Sequence, residues 1–100
     1  MSGGDWKQMF KGVQENDLEL VKYYLNAGID VNYQHPEYLA LPISESIRYG
    51  HIEIMILLLM HKANPHIKEL ESGCTAVELA QQKGNQRAID LLKCSIWDQA

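Results

Sequence analysis

The side chains that could do chemistry are few and scattered. The chain has four histidines, His35, His51, His61 and His66, and two cysteines, Cys74 and Cys94. No histidine stands near a cysteine at the spacing a tetrahedral zinc site uses. The pair His61-x4-His66 straddles a predicted helix end. Ser44, Glu45 and Ser46 set hydroxyls beside a carboxylate on a predicted helix. Nucleophilic catalysis there would also need a histidine base and an oxyanion donor, and nothing local supplies either. Glycine-rich phosphate loops and the H-E-x-x-H metal motif do not occur in the sequence. We therefore expect no enzyme, no metal and no cofactor. His51, just after a predicted turn, reads as structural, and each cysteine as a small packing residue.

Bulk properties narrow the classes further. One hundred residues with 46% hydrophobic side chains suffice for one core without staples. Thirteen acids against nine bases give a net charge of −4, the wrong sign for a nucleic-acid binder. No run of basic residues suggests a membrane-surface patch. The longest apolar run, Ile54–Met60, is seven residues, far short of the ~20 that span a bilayer. The N-terminus carries no signal-peptide pattern. These features point to a cytoplasmic protein with reduced thiols; a monomer is the expected state when unbound.

The elements that must position any site emerge from an internal period of 34 residues. Leu20, Ile54 and Ala88 fall in one column, as do Val21, Met55 and Ile89, and Tyr24, Leu58 and Leu92. Met9, Ile43 and Val77 form another apolar column. Gly12, Ser46 and Ala80 form a small-residue column, read as letting neighbouring first helices approach. Asn16, Gly50 and Gly84 form a turn column suited to the left-handed conformation. The pattern predicts two short helices per unit: roughly 6–15, 42–49 and 76–83, then 17–27, 51–61 and 85–93. Start signals agree: Thr75 with Glu78 as a capping box, Pro42 in a first turn, and Asp5, Asp17 and Asn85 as N-caps. Ile52–Met60 has eight apolar residues of nine and is predicted to be buried nearly all round. Its counterparts carry Glu19 and Lys22 in the first unit, and Gln86, Arg87, Asp90 and Lys93 in the third, as end units require. Tyr23 and Tyr24 fall in the Leu57 and Leu58 columns and are predicted to be core. Trp6 is predicted to pack at the N-terminal edge. Trp97 is either a further capping contact or disordered.

These units resemble the ankyrin repeat, a β-turn plus two helices over about 33 residues with a T-P-L-H-x-A signature. The middle unit reads L-P-I-S-E-S at 41–46, then Y-G-H-I-E-I from Tyr49. The third reads T-A-V-E-L-A at 75–80, and the first keeps N-A-G-I-D-V-N at 26–32. The resemblance covers 5–93 and implies an all-α ankyrin repeat solenoid. Its three stacked helix-turn-helix units run about 5–34, 35–68 and 69–93, joined by short finger loops, with a tail at 94–100. The sequence departs from the family at Leu41, where Thr is usual, and at Ser44 and Glu78, where His is usual. Lys62 replaces a glycine after the second helix and would have to adopt a left-handed conformation. Each finger is one residue longer than the family pattern implies.

A solenoid of this kind offers its fingers and the concave face of its first helices. The candidate partner-binding residues are Glu37, Tyr38, Ala40, Arg48 and Tyr49 of the middle unit. The third unit offers Glu71, Ser72, Cys74, Gln82 and Lys83, and the first Gln14 and Glu15. Tyr38, Arg48 and Tyr49 are the sharpest group, because Tyr and Arg combine contact area with directional hydrogen bonds. The resemblance implies a non-catalytic protein–protein interaction module whose partner is another protein. Narrower alternatives are an inhibitor or immunity-type protein neutralising one enzyme or toxin, a regulatory fragment of a larger enzyme, and a small-molecule-binding domain. The polar third unit argues against further repeats beyond it.

Overall fold

Six helices follow one another as the period requires: α1 (Gly3–Gln14), α2 (Leu18–Asn26), α3 (Pro42–Tyr49), α4 (Ile52–Met60), α5 (Ala76–Lys83) and α6 (Gln86–Leu92). The computed structural model describes residues 3–94. Among them there is no strand, so the fold is all-α, with the paired helices per unit that the period predicts. Trp97, on which the sequence left two readings open, lies outside the described residues.

Local chemistry starts and stops each helix. Asp17 and Asn85 cap α2 and α6, accepting from the backbone N–H of Leu20 and Ala88. Thr75 and Glu78 close a full capping box, and Pro42 opens α3. Asp5 is not a cap, because α1 begins two residues earlier and Asp5 lies in its first turn. The first helices end alike. Asn16, Gly50 and Gly84 take φ of 58, 73 and 64°. The next residue then returns its N–H to the small-residue column: Asp17 to Gly12, His51 to Ser46, Asn85 to Ala80. Lys62 takes φ of 74° in the column of Gly28, so the departure from glycine is carried as strain.

Inner helices α1, α3 and α5 pack against one another more closely than the outer helices do. The core runs through the stack, from Trp6, Met9 and Val13 through Ile43, Ile54, Met55 and Leu58 to Ala80, Ala88 and Leu92. Three units make only a short stack, 33 × 25 × 24 Å.

Three details correct the sequence reading. A Cβ on Gly12 would meet Val21 Cγ2 at 3.0 Å and Leu20 Cδ2 at 3.3 Å. At that position the small column lets α1 approach its own α2, not the neighbouring first helix. Tyr23 is 66% exposed, whereas Leu57 in its column is buried. The difference is a missing neighbour: α4 has α2 beside it, and no repeat precedes α2 among the described residues. Tyr24 does pack partly against the core. Met60 is exposed at the end of α4, so that helix is not buried all round.

Candidate functional site

Two fingers, 33–41 and 67–75, join the units. Each opens on an Asx turn: Asp30 accepts the Asn32 N–H at 2.9 Å, and Asn64 accepts the His66 N–H at 2.9 Å. Each then turns back through a left-handed residue in one column, Leu39 (φ 56°) and Gly73 (φ 70°). Side-chain amides clamp the first finger to the second. Gln34 Nε2 donates to the Lys68 carbonyl at 3.1 Å, and its Oε1 accepts the Leu70 N–H at 2.7 Å. Asn32 does the same toward Lys62 and Asn64, and the Glu71 N–H donates to the Leu39 carbonyl at 2.8 Å.

The roots of the fingers differ in chemistry. Under the first, Trp6 stacks on Phe10 with centroids 4.7 Å apart, and Tyr38 meets both rings edge-on at 5.4 and 5.3 Å. His35 is buried against the same cluster, 5.4 Å from the Trp6 ring. Trp6 is itself only 2% exposed and donates its Nε1–H to the Tyr33 carbonyl at 3.1 Å. Under the second finger, in the His35 column, lies Glu69, fully buried. It accepts the Leu41 N–H at 3.0 Å and a two-pronged bond from Arg48 at 2.9 and 2.6 Å. Burial alone would push this carboxyl up. The Arg48 fork, the Leu41 N–H and the Ser72 hydroxyl outweigh it and hold Glu69 below the ordinary carboxylate value of 4.5. The bond to Glu69 in turn keeps Arg48 firmly protonated. Arg48 Nε also bonds Glu45 at 2.9 Å, and Gln14 Nε2 donates to Glu45 at 2.7 Å. One polar chain thus links α1, α3 and the second finger. His51 adds a second tie to the first repeat: its Nε2 lies 3.1 Å from the Gln14 carbonyl, which only accepts, so the ring nitrogen donates.

Between fingers and inner helices lies a groove of about 540 Å³ lined by Phe10, Gln14, Glu37, Tyr38, Ala40, Glu45, Arg48, Glu71 and Ser72. It gathers Gln14, Glu37, Tyr38, Ala40, Arg48, Glu71 and Ser72 from the residues chosen on sequence. Tyr38 and Glu71 are exposed, whereas Ala40 is buried in the floor. Arg48 shapes the wall, its guanidinium committed to Glu45 and Glu69. Glu37 pairs with Lys7 at 3.0 Å, and the Lys7 bond holds its carboxyl below the usual range. Glu15, Tyr49, Cys74, Gln82 and Lys83 lie outside the groove. Tyr49 is 52% exposed, its ring 5.8 Å from that of His51. Cys74 Sγ accepts from Gln82 at 3.3 Å. Sequence reasoning missed Phe10 and Glu45 as lining residues and Glu69 as their support. Phe10 lies one helical turn from both Trp6 and Gln14, and Glu45 one turn from Arg48, which are the signals that could have found them.

Ser44 Oγ is buried without a hydrogen-bond partner, in the position where the family usually has histidine. Among the described residues no group of three His, Cys, Asp or Glu could hold a metal ion, and no helix is long and apolar enough to cross a membrane.

A family model for ankyrin repeats, three copies, matches residues 9–99. Among curated relatives, the palmitoyltransferase AKR1 of Lachancea kluyveri is 32% identical over 85 residues, covering 85% of this chain and 11% of that protein. Human palmitoyltransferase ZDHHC13 is 37% identical over 65 residues, 65% of this chain and 10% of its own length. Human 2-5A-dependent ribonuclease is 32% identical over 77 residues, 77% of this chain and 10% of that enzyme. The chain therefore spans about a tenth of the length of these relatives.

Proposed function

The chain belongs to the ankyrin-repeat family, and from that premise we propose that it is a non-catalytic protein-interaction module that docks its partner on the fingers and the inner-helix face. Ankyrin repeats generally mediate contacts between proteins. The observation that carries the reading here is the groove, which draws its lining from α1, the first finger, α3 and the second finger at once. A surface assembled from three successive repeats needs the folded stack and offers a shaped rather than a flat face. Exposed Tyr38 and Tyr49 supply the amphipathic contact area that interfaces favour. The same reading makes the chain a cytoplasmic monomer before its partner arrives, with Cys74 and Cys94 as free thiols.

The test replaces Tyr38 and Tyr49 together by alanine and compares the proteins each form retains from host extract. A partner held by the parent chain and lost from the folded double variant is the expected result. Identical retention by both forms would remove this face from consideration.

A second reading, a regulatory segment of a larger enzyme, is favoured by one observation. The relatives above bear enzyme names, yet this chain corresponds to about a tenth of each. In that case the docked partner is the enzyme's own remaining chain or its protein substrate.

A further inference from the structure

We propose that the groove takes a cationic side chain, an arginine carried on an extended segment of the partner protein. The proposal rests on the reading of this face as a protein-docking surface and gives that partner a chemistry.

Three observations carry it. The first is the sign of the lining. Glu37, Glu45 and Glu71 face the groove against one cation, Arg48. That guanidinium is already bonded on three nitrogens, to Glu45 and to the buried Glu69. Two carboxylates answer one positive charge, so the wall presents net negative charge to an incoming group.

The second is a cation already seated at the rim. The Lys7 ammonium lies 3.0 Å from Glu37 and 5.9 Å from the centre of the Tyr38 ring. A carboxylate beside an aromatic face is the combination that holds a desolvating cation, and here the chain's own lysine already uses one such pair.

The third is what remains open. The Glu71 carboxylate, on the opposite finger, forms no ion pair among the described residues. The Tyr38 and Phe10 rings meet edge to face at 5.3 Å, making a rigid apolar wall inside the groove. A planar guanidinium can lie against such a ring while its fork reaches a carboxylate. An ammonium offers only a point charge, so arginine fits better than lysine.

The test pans a random-peptide phage library on the parent chain and resynthesises the enriched peptides. Expected are sequences with an arginine at a fixed position. Replacing that arginine by citrulline, its neutral isostere, should weaken binding about tenfold, the scale of one desolvated cation–π and charge contact. Glu71→Gln should weaken it several-fold with an unchanged melting curve, since Glu71 is exposed. Tyr38→Ala marks whether a peptide sits in the groove at all. Peptides lost on Tyr38→Ala but lacking any basic residue would overturn the arginine proposal and leave the docking surface standing. Peptides indifferent to both Tyr38→Ala and Glu71→Gln, or no enrichment, would overturn both.

Discussion

The two fingers share one backbone and have different roots. Both begin on an Asx turn, both reverse through a left-handed residue, and both carry a buried side chain in the same column. That side chain is His35 in the first and Glu69 in the second. The first finger rests on stacked rings, the second on a desolvated ion pair. Turn residues thus fix the shape of a finger, while the residue at its root decides what fastens it to the stack. The two fastenings respond differently to experiment: aromatic burial follows area and packing, and an ion pair follows pH.

The largest effect is expected from Trp6→Ala. It removes the central ring of the first root together with the Nε1–H bond to Tyr33. Loss of a buried Trp costs about 3–5 kcal/mol, which lowers Tm by more than about 12 °C in a domain of this size. Urea melts at several pH values should give the same loss at each. A loss that varied strongly with pH would break the contrast between the roots.

Arg48→Ala comes next. It leaves the Glu69 carboxylate buried with only the Leu41 N–H and Ser72 beside it. At neutral pH the cost is about 3 kcal/mol, the low end for a stripped buried pair, because Arg48 keeps 24% of its side chain in solvent. The pH dependence has a definite sign. In the parent chain the Glu69 pKa is depressed, so the pair's stabilisation is present above the ordinary carboxylate value of 4.5 and is lost as pH falls through the folded pKa below it. In the variant, burial favours the neutral acid. The gap between parent and variant in urea melts should therefore be widest near neutrality and close toward acid. A gap constant down to the acid end would mean that charge does not fasten the second finger.

The smallest effect separates the two finger tips. Gly73→Ala meets no atom within 4 Å, so only the left-handed backbone opposes it, and a cost of about 1 kcal/mol is expected. Leu39→Gly relieves the same strain but frees the unfolded chain and gives up the contacts of an exposed side chain, so its net change should stay within about 1 kcal/mol of zero. A cost for Leu39→Gly well above that of Gly73→Ala would show that the tips are not equivalent in conformation.

Elements set by neighbouring residues were legible in the sequence. Thr75 with Glu78, Pro42, Gly50 and Gly84 act within one turn, so their spacing alone places the helix ends. Most of the groove was legible too, because residues in repeated columns share a face. What stayed hidden depends on contacts between distant positions. Trp6 and Tyr38 meet across 32 residues, and nothing near either announces the other. Glu69 reads as a solvated acid until Arg48, 21 residues before it, is seen to bond it. Tyr23 was misjudged because a column carries residue type but not the number of neighbours a unit has. Gly12 shows the same limit: its size was plain, but what it approaches was not.

The amide clamps have a mechanical consequence. Asn32 and Gln34 each bind backbone about one repeat further along, Asn32 just before the next finger and Gln34 within it, through both ends of one amide. A pull that parts the repeats loads these bonds side by side, together with the tightly packed inner helices. The outer helices, more loosely packed, have less to resist it. The stack should therefore flex like a book bound along its fingers, opening at the α2–α4 edge while the spine holds. The groove lies along that spine, so the molecule can bend without changing the shape it shows to what docks there.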